Sequence, residues 1–386
     1  MPWRETTPVR ERVKLVAEFS EGFYSMTELA ELYGVSRKTG YKWVERFERE
    51  GPEGLKDRSR VPRSSPTRMQ AEIVEDLLAT RRRHPTWGPK KLIAWLWDHR
   101  RDQSWPAPST AGGILKRHGL VRARPWRRRL EHPGRSWYQA LDPNDLWTAD
   151  FKGQFRTGDT RYCYPLTVAD SVSRYLLGCD ALRSSGTQTS WKRFERLFRE
   201  YGLPRAIRTD NGAPFASVAI GRLSALSVWW IRLGIKPILI EPAHPEQNAS
   251  HERMHRTLKQ ETTRPPQSTL WAQQRRFDRF RREYNEQRPH ESLGQKPPTA
   301  FYQPSPRPYP QKLPPMQYPG HFEIRRVGSN GCISWNGQWL HMTQALRDQD
   351  VGLEEIDDGV WSISFGPMPL GRFHLENLHL SGVHRS

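Results

Sequence analysis

Apolar residues recur at helical spacing through the first fifty positions and predict three short helices. The apolar positions are Val13, Val16, Ala17 and Phe19 in the first helix and Tyr41, Trp43, Val44 and Phe47 in the third. Thr27 and Ser36 are the predicted N-terminal caps of the second and third helices, and Gly34 between them predicts a tight turn.

The spacing of helix, glycine-containing turn and helix is typical of a helix-turn-helix, which predicts a DNA-binding domain over residues 1–55. Its second helix would present Arg37, Lys38, Thr39 and Lys42 to a major groove. Gly40 lies inside that helix and counts against the prediction, because glycine there costs about 1 kcal/mol relative to alanine. An ordinary basic three-helix bundle is the alternative.

A second helical unit is predicted over residues 67–121, after a linker at 56–66 that is rich in Pro, Ser and Arg. Its predicted helices are Thr67–His84, Gly88–Trp97 and Ser109–His118. The last one again has the pattern of a capped recognition helix, with Lys116 and Arg117 as candidate DNA contacts. Two such units would grip DNA over more than one turn, with an affinity that one small domain rarely supplies.

Residues 122–143 are predicted to form a basic linker before the next domain. The run RARPWRRR within it supplies Arg124, Arg127, Arg128 and Arg129 as further candidate DNA contacts. Such a run is either a solvated linker or a segment that lies along a phosphate backbone or enters a minor groove.

From about Asn144 the pattern changes to strands that alternate with helices, which predicts a different domain over 144–302. The predicted elements are strands Leu146–Phe155, Tyr162–Ala169 and Tyr175–Ala181, helix Thr187–Tyr201, strand Arg205–Thr209, helix Val218–Leu233, strand Lys236–Ile240, and helices Ala249–Glu261 and Leu270–Tyr284. A three-stranded meander followed by alternating helix and strand predicts a mixed α/β sheet flanked by helices.

The last part of the chain returns to short strands after a proline-rich segment. Residues 303–320 contain seven prolines and are predicted to be a linker. Over 321–386 the predicted strands are Cys332–Trp335, Gln338–Met342, Gly352–Ile356 and Trp361–Phe365. They predict a small β-barrel.

Charge is the property of the composition that adds most to this picture. The 386 residues include 61 Lys and Arg against 42 Asp and Glu, a net charge of +19 with a pI of about 10.1. The first 135 residues hold 29 basic and 17 acidic side chains, so the excess is concentrated there. This favours double-stranded DNA as a partner, because phosphate neutralisation releases counterions. A merely soluble basic surface is the alternative.

Several classes of protein are excluded by what the chain lacks. No apolar run approaches the length of about 18 residues that a membrane span needs, so no membrane is expected. The charged first residues contain no apolar signal core, which predicts a cytoplasmic protein. The three cysteines are far apart with no CxxC pair, so neither a disulfide scaffold nor a zinc site is expected.

Three acidic residues occupy positions that suggest chemistry. Asp150 lies mid-strand in WTADFKG, Asp210 ends a short strand in RTDNG, and Glu252 lies on a helix in HERMHRTLK. Carboxylates brought together from such elements repel each other unless a divalent cation such as Mg²⁺ screens them. Two ions about 3.5–4 Å apart would clamp both oxygens of a phosphoryl displacement. Singly, each acid has an ordinary alternative: a turn cap, a turn residue and a solvated helix residue.

Together these segments resemble the DDE integrase core, a ribonuclease H-like fold shared by insertion-sequence transposases and retroviral integrases. The resemblance rests on WTADFKG around Asp150, TDNG around Asp210 and ERMHRTLK around Glu252, and on RPHESLG with the following PPTA, which is similar to the tail of such cores. It covers roughly 140–302. Paired helix-turn-helix units before the core and a small barrel after it also suit a bacterial insertion-sequence transposase.

The third carboxylate is assigned to Glu252 on the resemblance, with Glu246 as the alternative. Glu246 lies 36 positions after Asp210, and the 35 residues between them are a spacing common in the family, but Glu246 directly follows Pro245 at a predicted loop. Glu252 has Lys259 two helical turns later on the same face. In the family a basic residue there contacts substrate DNA, and the candidate DNA contacts on this helix are His255, Arg256 and Lys259.

The resemblance implies an enzyme that binds the terminal inverted repeats of a mobile element, cleaves its ends by metal-dependent hydrolysis, and joins the 3′-hydroxyl ends to target DNA. Asp150, Asp210 and Glu252 would be its catalytic and metal-binding residues, with two Mg²⁺ or Mn²⁺ ions per site and no zinc. A homo-oligomer assembled on DNA in the bacterial cytoplasm, associated with the nucleoid, is also implied. The alternatives are a DNA-binding regulator or domesticated relative without catalysis, and a ribonuclease H-type nuclease.

Overall fold

The computed structural model describes residues 6–59, 69–121, 138–217, 219–241, 245–376 and 380–382. The helices are α1 Pro8–Ser20, α2 Met26–Leu32, α3 Arg37–Glu50, α4 Ala71–Arg83, α5 Pro89–His99, α6 Pro108–Arg117, α7 Thr187–Tyr201, α8 Ala225–Arg232, α9 Ala249–Thr262 and α10 Leu270–Glu286. None of these helices has the length and apolar character needed to cross a lipid bilayer.

The strands lie in two regions of the chain. They are β1 Leu146–Phe151, β2 Phe155–Arg156, β3 Tyr162–Asp170, β4 Leu176–Leu182, β5 Ala206–Thr209 and β6 Lys236–Leu239, followed by β7 Glu323–Arg326, β8 Cys332–Trp335, β9 Gln338–His341, β10 Asp350–Asp357, β11 Val360–Phe365, β12 Met368–His374 and β13 Ser381–Gly382. The chain divides into two units, 1–69 and 70–386. The finer domain boundaries stay predictions.

The first unit contains the predicted helix-turn-helix, formed by α2, the turn at Gly34 and α3. Gly34 adopts a φ of +61°, as a tight turn requires. The side chain of Ser36 accepts a hydrogen bond from the backbone N–H of Thr39 at 3.2 Å, which confirms it as the cap of α3. The cap of α2 is Ser25 rather than Thr27, because Ser25 and Glu28 form a reciprocal capping box.

Gly40 has a packing role that its low helix propensity conceals. It is buried where α3 crosses α2, and a Cβ atom built on it would lie 2.3 Å from the sulfur of Met26. The two helices therefore approach more closely than any larger residue would allow. Gly40, which lowers the helix propensity of α3, is thus the residue that permits the close packing of α3 on α2.

The core of the second unit is the predicted mixed sheet. Strand β3 pairs antiparallel with both β1 and β4, and β2 continues the pairing at the start of β3. On the other side of β1, β5 and then β6 pair in parallel. The meander followed by parallel strands agrees with the sequence pattern. The N-terminal helix-turn-helix and this mixed sheet flanked by helices are thus the two parts of the predicted architecture that the structure confirms.

Helices cover both faces of this sheet. On one face, Trp147 and Leu166 pack with Phe194 of α7 and Trp230 of α8. On the other face, Leu176 packs with residues of α9 and α10, among them Met254, Leu258, Phe277 and Phe280. Both layers contain fully buried side chains. Successive residues of β1 therefore point alternately toward the α7–α8 layer and toward the α9–α10 layer.

Two predicted elements around the mixed sheet differ from the structure by four residues or more at one end. The strand predicted over Leu146–Phe155 ends at Phe151, because Gly153 turns the chain with a φ of +50° before β2 begins. The helix predicted over Val218–Leu233 begins at Ala225, where Ser224 caps it, and Val218 itself lies outside the described residues. A short turn at Ile220–Arg222 precedes it, with Gly221 at a φ of +62°.

The predicted C-terminal β-barrel is not confirmed, because the described strands form an open sheet. Strands β13, β12, β11, β10 and β7 lie in that order, and β8 with β9 makes a separate hairpin. Strands β7, β12 and β13 were missed in the sequence pattern. The inner face of the sheet packs against both helix α8 and the β8–β9 hairpin, since Val228, Ile231, Ile333 and Leu340 share a cluster with Phe365 and Phe373.

Candidate active site

Asp150 reaches the site because of its place in the alternation of β1. Trp147 and Ala149 point into the α7–α8 layer, so Thr148 and Asp150 point to the face that carries α9. Asp150 lies next to the end of β1, where its side chain is 21% exposed. A carboxylate at this position is largely buried and is still accessible to a ligand.

Asp210 is brought beside Asp150 by the parallel pairing of β5 with β1. Thr148 is the register partner of Arg208, and each of the two aspartates lies two residues further along its own strand. The backbone N–H of Gly212 donates to Asp210 Oδ1 at 3.3 Å, which holds the turn. Asp210 is exposed, but partial desolvation raises the pKa of its carboxyl group, against the opposing effect of the Gly212 N–H.

Glu252 lies in the first turn of α9 and is exposed. Its charge acts on the same site: the pKa of Asp150 is raised to about 7, first by burial, next by the negative charge of Asp210, and also by Glu252. Lys152 opposes this effect. The negative charges of both other predicted carboxylates therefore act on Asp150.

The donor atoms of this group suit a hard divalent cation. Mg²⁺ and Mn²⁺ bind carboxylate oxygens and keep water or phosphate in their remaining coordination positions. Because Asp210 and Glu252 are exposed, water and phosphate can reach a cation bound there. Among the described residues, three ligand atoms meet within 4.8 Å of one another only in the group Asp150, His251 and His255. Glu252 and Asp210 lie outside that tighter group.

Two buried histidines behind Asp150 were missed as a pair in the sequence. His251 and His255 are 2% and 4% exposed, and they face the sheet from successive turns of α9. Burial lowers the pKa of His251 to about 3 and that of His255 to about 2, so both rings are neutral. The available signal was their i, i+4 spacing together with Met254 and Leu258, which marks the buried face of an amphipathic helix.

Most of the predicted DNA contacts that the structure describes are exposed. In the first unit Arg37, Lys38 and Lys42 are exposed on α3, while Thr39 is half-buried and its hydroxyl contacts Ser36 at 2.9 Å. In the second unit the exposed residues are Lys116, Arg117, Arg256 and Lys259. These side chains are available to phosphates or bases.

His255 is a correction to the predicted set of DNA contacts. The helical period turns it toward the sheet, where its Nε2 atom lies 2.6 Å from Thr167 Oγ1 and not at a DNA-accessible surface. Arg124, Arg127, Arg128 and Arg129 lie outside the described residues, and the side chain of Glu246 is also outside them. The site assignments of these residues stay predictions.

Four segments of the chain match known domain families. Residues 140–245 and 233–298 match the integrase core domain. Residues 11–63 match a helix-turn-helix domain, and residues 39–115 match a homeodomain-like domain. The matches follow the order in which the helical region and the sheet occur in the structure.

Curated proteins of mobile elements and retroviruses are similar to part of the chain. It is 35% identical over 162 residues to the insertion element IS476 uncharacterized 39.2 kDa protein of Xanthomonas euvesicatoria, covering 41% of this chain and 44% of that protein. It is 31% identical over 163 residues to the insertion element IS407 uncharacterized 31.7 kDa protein of Burkholderia multivorans, covering 41% and 55%. The chain thus spans about half the length of these relatives. The Gag-Pol polyprotein of feline leukemia virus is 28% identical over 122 residues, which are 32% of this chain and 7% of the polyprotein.

Solved integrase structures show a distant similarity. The HTLV-2 integrase catalytic core domain in complex with magnesium, in its trimeric form, is 15% identical with a TM-score of 0.35, covering 43% of this chain and all of that one (100%). The simian T-cell lymphotropic virus intasome in complex with PP2A regulatory subunit B56 gamma is 16% identical with a TM-score of 0.37, covering 76% and 97%.

Proposed function

We propose that this chain is a DDE-type insertion-sequence transposase, because two of its segments match the integrase core domain and part of it is similar to insertion-element proteins. It binds the terminal inverted repeats of a mobile element and cleaves the element ends by metal-dependent hydrolysis. It then joins the resulting 3′-hydroxyl ends to target DNA. The catalytic residues are Asp150, Asp210 and Glu252.

The observation that supports this proposal is that the negative charges of Asp210 and Glu252 both act on Asp150 at one edge of the sheet. Asp150 is the penultimate residue of β1, and Asp210 directly follows the parallel strand β5. Repulsion between such groups destabilises the protein unless a cation fills the site. A cluster of this kind is therefore typical of a functional site rather than of a structural one.

Each residue has a distinct part in the proposed reaction. Asp150 and Asp210 would hold two Mg²⁺ or Mn²⁺ ions, and Glu252 would complete the site from the N-terminal turn of α9. When bound, the ions would neutralise the scissile phosphate and favour deprotonation of the attacking water or hydroxyl group. Arg256 and Lys259 follow Glu252 on the same helix and would hold the DNA phosphates against the site.

DNA recognition falls to the helical regions in this proposal. The exposed Arg37, Lys38 and Lys42 of α3 would enter a major groove, and Lys116 and Arg117 at the end of α6 would contact a second stretch of the repeat. The net charge of +19 supports binding through phosphates. Because two element ends must be joined, the protein would assemble as a homo-oligomer on DNA at the bacterial nucleoid.

The test is a cleavage and joining assay on DNA from both flanks of the coding region, with Mg²⁺ or Mn²⁺ added. The wild-type protein should nick the end of the repeat and join it to a second duplex. Asp150→Asn, Asp210→Asn and Glu252→Gln should each lower both rates by a factor of about a thousand or more while DNA binding persists. Asp357→Asn, an exposed aspartate on β10, is the matched control and should remain active.

Two outcomes would contradict the proposal. If the wild-type protein binds the repeats but never cuts or joins them with either metal, the protein is a DNA-binding regulator. If Glu252→Gln keeps full activity, the third carboxylate is a different residue, and Glu246→Gln is then the variant to compare.

A further inference from the structure

Four polar side chains form a buried chain between the sheet and α9, directly behind Asp150. Thr148 and Thr167 come from β1 and β3, and His251 and His255 come from α9; they are 4%, 0%, 2% and 4% exposed. His251 Nδ1 lies 2.8 Å from Thr148 Oγ1, and its Nε2 lies 2.7 Å from Thr167 Oγ1. His255 Nε2 lies 2.6 Å from the same Thr167 oxygen, and its Nδ1 lies 3.5 Å from Asp150 Oδ2.

The sheet register places this chain on the first carboxylate. Thr167 is the antiparallel partner of Asp150, and its hydroxyl also lies 3.1 Å from the Asp150 carbonyl oxygen. One threonine therefore touches the backbone of Asp150 and both histidines. Among these four residues, His255 is the one whose side chain approaches the carboxylate of Asp150.

The hydrogens available to this chain restrict its arrangement. A neutral imidazole has one N–H donor and one lone pair, and a hydroxyl group has a single hydrogen. If Thr167 donates to the Asp150 carbonyl or to His251, then His255 must donate from Nε2 and its Nδ1 presents a lone pair to Asp150. Only when Thr167 donates to His255 Nε2 is the His255 hydrogen on Nδ1, facing the carboxylate.

That last arrangement satisfies every side chain in one direction. Thr148 donates to His251 Nδ1 rather than to the Ala169 carbonyl oxygen 3.2 Å away, and His251 Nε2–H donates to Thr167. Thr167 then donates to His255 Nε2, and the His255 hydrogen lies on Nδ1, the atom 3.5 Å from Asp150 Oδ2. An ionised carboxylate needs a donor and not a lone pair. The ionised form is the one that binds a divalent cation.

We propose that His255 is a positioning residue for Asp150, oriented by the chain Thr148–His251–Thr167, and that it fixes the carboxylate in the direction in which it holds a metal ion. The inference rests on the proposed function, since Asp150 needs a fixed direction only if it binds a metal. Hydrogen-bond partners behind a metal ligand have this effect in general. Because Glu252 lies three residues before His255 on α9, the same contacts also hold the helix that carries Glu252 against the sheet.

The experiment uses two substitutions that each keep one of the two nitrogens of His255. Asparagine places its amide nitrogen near the position of Nδ1, so His255→Asn retains the donor to Asp150. Glutamine places it near Nε2, so His255→Gln retains the bond to Thr167 and loses that donor. We expect kcat for end cleavage to fall about 10- to 100-fold in His255→Gln and much less in His255→Asn, with KM for DNA unchanged in both.

Threonine 167 supplies a second pair of variants. Thr167→Val removes the hydroxyl group at nearly constant volume, and Thr167→Ser keeps it. Thr167→Val should lower kcat for end cleavage as His255→Gln does, whereas Thr167→Ser should keep kcat near the wild-type value. His374→Gln, at an exposed histidine on β12, is the control substitution. Thermal unfolding of each full-length variant identifies any that fail to fold, and the comparison then uses the remaining pair.

Binding of Mn²⁺ alone, followed by electron paramagnetic resonance, gives a readout that needs no DNA. The Kd for Mn²⁺ should rise about 10-fold in His255→Gln and stay near the wild-type value in His255→Asn. The inference is overturned if the two variants bind Mn²⁺ equally, or if wild-type protein binds none. It is also overturned if the bound Mn²⁺ shows coupling to an imidazole nitrogen, because His255 is then a ligand. Failure of the wild-type protein to cut DNA would contradict the proposed function alone, since the Mn²⁺ comparison is independent of it.

Discussion

The Nδ1 atom of His84 lies 2.8 Å from Oε1 of Glu283 and joins the end of α4 to helix α10. The His84 side chain is only 3% exposed and its ring stacks on Trp87 at a centroid distance of 3.8 Å. Close by, Arg288 pairs with Glu261 at 2.8 Å, and Glu261 also accepts a hydrogen bond from Thr86. The helical segment 71–117 is therefore docked on the core by a buried polar network, and its candidate DNA contacts have a fixed direction relative to α9.

Glu283→Gln should weaken this docking. The hydrogen bond from His84 is the main cause that lowers the pKa of Glu283 in the folded protein. This bond therefore stabilises the fold at pH values above the pKa of Glu283 in the unfolded chain, and the stabilisation is lost as the pH falls through its pKa in the folded protein. We expect a loss of about 1–3 kcal/mol in the free energy of unfolding near neutral pH, measured by urea denaturation. Glu286→Gln, at the exposed end of α10, is the control. Equal midpoints for both variants would contradict the prediction.

Asp150→Asn should stabilise the metal-free protein at about pH 8. The folded pKa of Asp150 is raised to about 7 from 3.8, so the folded state binds the proton more tightly. The contribution of Asp150 to stability therefore decreases as the pH rises from its pKa in the unfolded chain toward its pKa in the folded protein. This contribution is least favourable above the pKa in the folded protein. The whole difference corresponds to about 4 kcal/mol at most.

The measurement is thermal unfolding between about pH 5 and pH 8, with and without Mg²⁺. Tm of Asp150→Asn minus Tm of wild type should increase as the pH rises, because the buried histidines contribute equally to both proteins and cancel in this difference. Added Mg²⁺ should reduce the difference, and Asp357→Asn should behave as wild type. A difference that is independent of both pH and Mg²⁺ would contradict the raised pKa of Asp150.

Arg37→Ala and Lys42→Ala should weaken DNA binding through lost phosphate contacts. Each should reduce the slope of log K against log salt by about 1 if the residue touches one phosphate. Fluorescence anisotropy from about 50 to 200 mM salt measures this slope. Lys14→Ala is the matched control, because Lys14 is exposed in the same unit but paired with Glu11 at 3.0 Å. If all three variants lose affinity equally, α3 is not the DNA-reading helix.

Gly40→Ala and Gly113→Ala should change stability in opposite directions. Alanine is favoured over glycine by about 1 kcal/mol in either helix. At Gly40 the added Cβ would meet Met26 at 2.3 Å, and such overpacking costs about 1–3 kcal/mol, so net destabilisation is expected. At Gly113 the nearest atom is 3.8 Å away, on Arg117, so the propensity gain should appear in full. Chemical denaturation of the full-length variants compares them, and a stabilised Gly40→Ala would contradict the packing argument.

Elements whose signal is local were predicted well. Helix α7 and strand β8 have the predicted bounds, because their amphipathic periods begin and end at clear turn residues. Strand β12 was missed, since Pro369 and Gly371 interrupt its alternation and both are disfavoured within strands. The barrel was not confirmed because sheet closure depends on which partners cover the inner face, and here helix α8 and the separate β8–β9 hairpin do so.

The residue types and spacing of the motifs around Asp150, Asp210 and Glu252 were sufficient to propose these acids as a site, because motif and period are properties of neighbouring residues. The positions of Asp210 and of helix α9 relative to Asp150 were decided by the parallel register of β5 on β1 and by the packing of α9 on the sheet. The role of His255 could not be read in the same way. Whether a helical histidine touches DNA or a buried threonine depends on the side that the helix turns inward, and that is set by contacts between residues far apart in the chain.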